Sequence, residues 1–507
     1  MLDSLIFVSW FPKLLANLAG SGQGLAPAFS LPPLVFAAAT EAATEVATEA
    51  DGEIAPLVLA GVLLSLIVVF LASKVGGEIC ARINLPPVLG ELVGGVVVGV
   101  SALHLLVFPE SGATAADSVI IQILQQTAGL QPAQAAAVFS AQSEVISVLA
   151  EIGVILLLFE IGLESDLKEL IKVGPQAAIV AVVGVVTPFA LGTFGLLALF
   201  HMAVVPAIFA GAALTATSIG ITAKVLSELR KLSSREGQII IGAAILDDIL
   251  GIVVLAVVAS LAKTGEVKLA NVAILIFSAA AFLIGTIVIG RLLAPYFIGV
   301  VNNLKTRGEL LIAALIVTLI LAYVGAIIHL EAILGAFAAG LILGETEKRH
   351  DLEEQVVPLA DVLVPIFFIS VGAKTALAVL DPTVPSNREG LVIAAFLVTV
   401  AIVGKVVTGF ALVGKTDVNK LAIGVGMIPR GEVGLVFAGV GAASGALTDA
   451  LNAAVIVMVI ATTFVAPPLL RVAFNLGEGQ QGESLPESVP EPVTPEPVMP
   501  EGDETSS

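Results

Sequence analysis

The dominant pattern along the chain is a series of long apolar runs separated by short polar stretches. A helix needs about 20 mainly apolar residues to cross the hydrocarbon core of a bilayer. Runs of this kind cover residues 54–73, 86–107, 144–163, 174–200, 203–227, 237–262, 269–299, 308–328, 330–345, 356–374, 389–414, 418–442 and 450–473. The pattern therefore predicts an all-α polytopic membrane domain over residues 54–474, with about thirteen transmembrane helices.

Two of these runs are interrupted near their centres. The run 203–227 contains Gly211 and then the polar string 215–220, and the run 418–442 contains Pro429 within the string 426–432. Irregular backbone at membrane depth is tolerated only where protein or a cavity satisfies its polar groups. The order of the loops makes the two runs enter from opposite sides, which indicates the binding site of a secondary transporter. Tight helix packing through Gly and Thr remains the alternative for either run alone.

The basic residues define an orientation, because cytoplasmic loops carry an excess of Lys and Arg. Alternate loops divide these residues unequally. One side holds Lys74, Arg82, Lys168, Lys172, Arg230, Lys231, Arg235, Lys305, Arg307, Lys348, Arg349, Lys415, Lys420 and Arg471. The other side holds Lys263, Lys268 and Arg388, with Lys374 at its margin. We call the first side inner, and predict that it is cytoplasmic and carries the C-terminus.

Composition agrees with a membrane protein and sets the two ends of the chain apart. Hydrophobic residues make up 57% and charged residues 13%, which excludes an ordinary soluble protein. Much of the net charge of −19 lies from Glu478 onward, where eight acids and several prolines occur without Lys or Arg. Residues 475–507 are therefore predicted to be a disordered acidic tail. Residues 1–53 fit a targeting peptide and an interfacial helix equally well.

The first candidate for chemistry is the pair Asp247 and Asp248, which lies in the middle of the apolar stretch 239–262. A charge at that depth costs at least ~2.5–3.5 kcal/mol, so an intramembrane acid is a functional-site hypothesis by default. Consecutive helical positions point about 100° apart, so the two carboxylates should have different partners. The chain is therefore expected to bind or move something charged.

Few basic residues can balance this pair inside the membrane. Lys405 lies far from both ends of its run, and burial readily shifts the pKa of a lysine, so a lysine–aspartate pair could exchange protons near neutral pH. Arg430 and Glu432 both lie in the second interruption, where we expect a mutually neutralising structural pair. Glu160, about one turn inside the inner end of its run, fits a site role and a structural hydrogen bond equally well.

Carboxylates, hydroxyls and freed backbone carbonyls suit a hard monovalent cation or a proton. The same oxygens can hold either, so binding one expels the other, and that competition is sufficient for exchange transport. No nucleophile–base arrangement accompanies these residues. The sequence therefore predicts a transporter rather than an enzyme, with Na⁺ or K⁺ and H⁺ as transported ions and no cofactor.

Several motifs together resemble the membrane domain of the cation:proton antiporter-2 family, which includes sodium/proton antiporters and glutathione-gated potassium efflux systems. They are Leu89–Gly95, Phe159–Glu164, Thr215–Ile221, Asp247-Asp248, Leu334–Gly340, Pro365–Gly372, Lys405 and Pro429–Glu432. The resemblance spans roughly residues 55–473. No Gly-rich nucleotide-binding unit is visible, which departs from the potassium-efflux pattern and favours the simple sodium/proton type.

The resemblance implies inverted repeats with two crossed discontinuous helices, and a homodimer whose core domain moves elevator-fashion against a dimerisation domain. Asp248 resembles the carboxylate that binds the transported ion and proton, and Asp247 resembles the partner of Lys405. Thr215, Thr217 and Ser218 correspond to the unwound-helix oxygens, and Glu160 to a glutamate of related exchangers. The double aspartate resembles the electrogenic branch. Similarity to cyanobacterial antiporters of this type implies a thylakoid or plasma membrane.

Three other functions stay open on sequence alone. Exchange of K⁺ for H⁺ would use the same oxygens. A cation channel could use the acids as gating sensors, and saturable counterflow against a gradient would distinguish an exchanger from it. A sodium-coupled solute symporter could share the crossed-helix plan, but a solute rather than a proton gradient would then drive Na⁺ flux.

Overall fold

The computed structural model consists of helices and connecting segments throughout the part of the chain that it describes. It describes residues 33–264, 269–328, 330–381, 383, 385–412 and 418–482, without the side chains of 33–53, 262–264, 269, 271, 379, 385–387, 432, 435, 442, 443, 449 and 477–482. Lys268, Lys415 and the side chains of Lys263 and Glu432 therefore lie outside the described residues, as do residues 1–32 and 483–507 of the two predicted end segments.

Sixteen α-helices follow one another along the described chain. They are α1 (Pro33–Arg82), α2 (Pro87–Val98), α3 (Val119–Ala128), α4 (Pro132–Glu164), α5 (Leu167–Leu199), α6 (Val204–Ala213), α7 (Ile219–Glu228), α8 (Arg235–Thr264), α9 (Leu269–Asn303), α10 (Glu309–Ile327), α11 (Ala332–Gly344), α12 (Arg349–Ala373), α13 (Pro385–Phe410), α14 (Lys420–Gly426), α15 (Glu432–Ala443) and α16 (Asp449–Gly482).

Each of the thirteen predicted runs overlaps one helix or, for the two interrupted runs, a pair of short helices. Within the described residues, nine helices are long and apolar enough to cross a membrane. The all-helical membrane fold is confirmed, and the interruptions are breaks between α6 and α7 and between α14 and α15. Thirteen crossings stay a prediction, because α2 and α11 are shorter than a full span.

The segment after α2 differs from the prediction, which continued that helix to residue 107. The helix ends at Val98 because Gly99 lies against Ala373 of α12, where a Cβ would overlap the backbone, and Val100 N–H then donates to the Ala373 carbonyl. Short 3-10 helices at Pro109–Ser111 and Ala115–Asp117 follow. The amphipathic helix α3, which hydropathy missed, then buries Ile120, Ile121 and Leu124.

The helices pack as two groups. The site group contains the two broken helices and the four long helices that enclose them, α5, α8, α13 and α16. The frame group contains α2, α4, α10, α11 and α12. Helix α7 is the main part of the site group that reaches the frame group, since it packs against both α2 and α4.

An internal repeat is visible in both groups. In the site group the order long helix, broken pair, long helix occurs twice, as α5 to α8 and as α13 to α16. In the frame group, Gly95 of α2 meets Gly372 of α12, and Gly340 of α11 meets Gly162 of α4, each so closely that a Cβ on either glycine would overlap the other helix. In this repeat α2 corresponds to α11, and α12 corresponds to α4.

Candidate functional site

The two breaks cross each other in the middle of the site group. Ser218 N–H donates to the Pro429 carbonyl at 2.8 Å, and Thr222 Oγ1 donates to the Gly426 carbonyl at 2.9 Å. These bonds satisfy backbone groups that the interrupted helices leave without intrahelical partners. Pro429 and the flanking Gly426 and Gly431 explain why the second helix stops here, since proline cannot donate to the preceding turn.

Arg430 connects the two broken helices at the point where they cross. One guanidinium nitrogen donates to the Leu214 carbonyl at 2.6 Å and the other to the Met427 carbonyl at 3.3 Å. These two residues follow the C-terminal ends of α6 and α14. A helix C-terminus carries partial negative charge, so one buried cation stabilises both broken ends. The predicted partner of Arg430, Glu432, has its side chain outside the described residues, so that charge pair stays a prediction.

Asp247 and Lys405 form an ion pair that is completely buried. Lys405 Nζ lies 3.2 Å from Asp247 Oδ2 and 3.3 Å from Oδ1, and neither side chain is exposed. Helix α8 supplies the aspartate and α13 the lysine. Gly184 of α5 makes room for the ammonium group, since a Cβ there would lie 3.2 Å from Nζ.

Asp248 lies beside this pair but on another face of α8. It is 4% exposed, and Gly251, one turn later on the same face, lies opposite Ala216 of the first break. The charge of Asp248 also acts on Lys405, and that of Arg430 acts on both Lys405 and Asp247. The structure therefore brings together two acids and two bases, whose formal charges cancel.

The three hydroxyl residues of the first break occupy different positions. Thr217 Oγ1 donates to the Met427 carbonyl at 3.1 Å, and Ser218 faces Gly431 of the other break. Both side chains are buried at the crossing. The hydroxyl of Thr215 instead donates to the Ala212 carbonyl at 2.8 Å, which closes the last turn of α6.

Glu160 belongs to a separate group of charges. Its electrostatic neighbours are Lys224 of α7, Glu164 of its own helix and Asp361 of α12. This group lies between the site and frame groups toward the inner side. The structure thus does not bring Glu160 to the Asp247–Lys405 pair.

The sequence analysis missed two hydroxyl side chains that support the site. Thr222 joins α7 to the second break, and Thr408 Oγ1 donates to the Lys405 carbonyl at 2.6 Å. Both threonines are fully buried. The sequence does contain a sign of both residues. Each is a threonine in a largely apolar helix, one turn after Ser218 or three residues after Lys405.

This arrangement can hold a cation. Carboxylate, hydroxyl and carbonyl oxygens are the ligands that hard cations prefer. Asp248 carries a carboxylate, and Thr217, Ser218 and the backbone carbonyls at the breaks carry neutral oxygens of this kind. Fold and site define a polytopic membrane protein with crossed discontinuous helices around a buried acidic pair.

Comparison with known proteins identifies the family. The family model "Sodium/hydrogen exchanger, transmembrane" matches residues 69–475. The chain therefore belongs to the sodium/hydrogen exchanger family, which confirms the family resemblance seen in the motifs.

Individual relatives agree. The high-affinity Na⁺/H⁺ antiporter NhaS3 of Synechocystis is 70% identical over 443 residues, covering 87% of this chain and 95% of the relative. The Na⁺/H⁺-K⁺ antiporter GerN of Bacillus cereus is 31% identical, covering 80% and 95%. The sodium proton antiporter MjNhaP1 of Methanocaldococcus jannaschii matches in structure with a TM-score of 0.55 at 17% identity, covering 84% of this chain and 99% of that one, so it shows the shared fold.

Proposed function

We propose that this chain is a secondary active Na⁺/H⁺ antiporter in which Na⁺ and H⁺ compete for Asp248. One observation carries the proposal. A fully buried Asp247–Lys405 ion pair lies beside a second buried aspartate at the crossing of two broken helices. The relative with 70% identity bears the name of a high-affinity Na⁺/H⁺ antiporter, which supports Na⁺ as the cation.

The residues divide the work in the following way. Asp248 takes up either Na⁺, with oxygens from Thr217, Ser218 and the freed carbonyls, or a proton. The charges of Asp247 and Lys405 neutralise each other when no cation is bound. A change in the charge of Asp248 alters the electric field at the Lys405 ammonium group. If Lys405 releases a proton on each cycle, exchange moves net charge and is electrogenic. The process uses ion gradients and requires no cofactor.

Exchange of K⁺ is the second candidate. GerN, with which this chain shares 31% identity, is named as a Na⁺/H⁺-K⁺ antiporter. An oxygen-lined site discriminates between Na⁺ and K⁺ through its size and ligand number, so K⁺/H⁺ exchange would use the same Asp248.

The test is the collapse of an imposed pH gradient in proteoliposomes when Na⁺, Li⁺ or K⁺ is added in turn. We expect Na⁺ and Li⁺ to act at lower concentrations than K⁺, and Asp248→Asn to abolish the response. Asp166→Asn is the matched control. Asp166 caps α5 outside the membrane by accepting from Lys168 and Glu169 N–H, and Asn caps equally well. Undiminished exchange in Asp248→Asn would refute the role of this carboxylate.

We further propose that the protein works as a homodimer in a lipid bilayer, with the frame group at the dimer interface and the site group moving elevator-fashion against it. The limited contact between the two groups, mainly through α7, supports such a movement. The distribution of Lys and Arg supports a cytoplasmic C-terminus, and the cyanobacterial relative suits a thylakoid or plasma membrane.

A further inference from the structure

We infer that Glu228 of α7 is a latch between the two helix groups, which holds the site group in the conformation described and must release when that group moves. Glu228 can act in this way only if the site group moves against the frame group, so the latch rests on the proposed function. Glu228 takes no part in binding the cation. It sets instead how the protein divides its time between conformations.

Glu228 is the last residue of α7, and its carboxylate lies at the N-terminus of α2. The backbone nitrogen of Val88 donates to this carboxylate, with Oε1 at 3.1 Å and Oε2 at 3.4 Å. Val88 is the second residue of α2, so its N–H has no partner within the helix, and Pro86 at the N-cap offers no side-chain acceptor. A carboxylate at this place accepts the hydrogen bond and faces the positive end of the helix dipole. One helix group thus caps a helix of the other.

Helix α2 is held firmly within its own group. A Cβ on Gly90 would overlap the backbone of Gly76 in α1, and a Cβ on Gly95 would overlap the Ile369 carbonyl in α12. Helices in such close contact cannot slide past each other without disturbing both backbones. Val88 is itself fully buried. The N-terminus of α2 is therefore a fixed point against which the site group can be held.

Helix α7, by contrast, is bonded to the second break. Ser218 N–H and Thr222 Oγ1 donate to carbonyls of that break, so α7 must move with the crossing. Glu228 lies six residues after Thr222 on the same helix. A hydrogen bond is lost once its donor and acceptor are more than about 3.5 Å apart. A movement of the site group by several ångströms therefore has to open the contact between Glu228 and Val88.

The charges around the latch favour the same conformation. Lys224 lies one turn before Glu228, and it attracts the frame-group acids Glu91 of α2 and Glu160 and Glu164 of α4. Glu91 repels Glu228, and Lys224 offsets that repulsion. The inner end of α7 thus presents an ammonium group to acids and a carboxylate to a helix N-terminus. Both attractions weaken when α7 moves away from α2 and α4.

Transport in everted and right-side-out vesicles from the same cells tests the latch. The half-saturating Na⁺ concentration from one face rises when the conformation open to that face becomes less populated. Glu228→Met removes the cap and its charge, so the ratio of the half-saturating concentrations from the two faces should change roughly three- to tenfold. Glu228→Gln keeps an acceptor oxygen and should change the ratio roughly twofold in the same direction. This second variant supplies the result if Glu228→Met does not fold.

Glu236→Met is the matched control. Glu236 Oε1 accepts from Asn419 N–H at 2.9 Å, at the start of α14, so it too caps a helix with a carboxylate from another helix. Glu236 lies on α8, and α8 and α14 both belong to the site group, so this contact need not open when that group moves. Glu236→Met should therefore leave the ratio unchanged. An unchanged ratio in both Glu228 variants, or an equal change in Glu236→Met, would overturn the inference.

Cross-linking gives a readout that does not depend on transport. A Cβ at Gly220 of α7 would lie 3.4 Å from Val154 Cγ2 of α4, so the Gly220→Cys, Val154→Cys pair reports the conformation described. Cys80→Ala removes the only native thiol and adds no hydroxyl near Glu228.

In this background Glu228→Met should slow disulfide formation under limiting oxidant by at least roughly 1.5-fold, because the conformation described is less populated. Glu236→Met should not slow it. An unchanged rate in Glu228→Met contradicts the latch. Wild-type vesicles without Na⁺/H⁺ exchange would instead refute the proposed function, and the cross-linking rates would still decide the latch.

Discussion

At the scale of single residues, the Asp247–Lys405 pair is the feature with the largest energetic consequence. Both charges are fully buried, so each is tolerated only because the other is present. Lys405→Met leaves Asp247 without its ammonium partner, and we expect a loss of about 3–5 kcal/mol in stability. The measurement is the thermal stability of detergent-solubilised protein by fluorescence-detected size exclusion.

The double variant separates loss of charge pairing from loss of packing. Asp247→Asn combined with Lys405→Met removes both charges while it keeps similar volumes, so it should recover much of the stability lost in Lys405→Met alone. A double variant less stable than Lys405→Met would show that the methionine, rather than the unpaired carboxylate, causes the defect.

The sequence analysis identified the residues whose charges cost free energy inside a membrane. Asp247, Asp248, Lys405 and Arg430 stand out because no apolar packing role explains them. It did not identify Thr222 or Thr408. A threonine hydroxyl can donate to a carbonyl of the preceding turn of its own helix, so the sequence does not indicate a partner elsewhere. Depth in its run and the family resemblance both made Glu160 a candidate for the site, but depth along a helix does not show which neighbour a side chain faces.

At the scale of helices, the frame group is held together by close approaches between glycines. Gly372 meets Leu92 and Gly95 of α2, where a Cβ would overlap the α2 backbone. We expect Gly372→Ala to destabilise the protein by about 1–3 kcal/mol, because neither backbone can move without disturbing the other. Thermal stability in detergent measures the effect.

Gly285 provides the matched control for this substitution. It lies in α9, and a Cβ added there would have no heavy atom within 4 Å outside its own stretch of helix, so Gly285→Ala should be neutral or stabilise the helix by up to about 1 kcal/mol. Equal losses in both variants would mean that helix propensity rather than close approach governs the result.

Hydropathy predicted the long helices well because their length and apolar character are set by the bilayer. It extended α2 too far because the end of that helix depends on Gly99 meeting Ala373, a contact distant in sequence. It overlooked α3 for a different reason. That helix is short and half polar, so a window tuned to about 20 apolar residues cannot register it.

At the scale of the whole molecule, the proposed movement of the site group against the frame group can be tested with cross-links. Gly220 of α7 faces Val154 of α4, and a Cβ at position 220 would lie 3.4 Å from Val154 Cγ2, so two cysteines at these positions would be in contact across the two groups. In a Cys80→Ser background, oxidation of the Gly220→Cys, Val154→Cys variant should fix the two groups together. We expect the rate of Na⁺/H⁺ exchange to fall by roughly tenfold or more, and to recover when the disulfide is reduced.

The control cross-link lies within the site group. A Cβ at Gly242 of α8 would lie 3.1 Å from Ala177 Cβ of α5, so the Gly242→Cys, Ala177→Cys variant joins two helices that are proposed to move together. Its oxidation should leave exchange largely intact. Transport that continues with α7 covalently fixed to α4 would exclude movement of the site group as a unit and would confine alternating access to local changes around the two breaks.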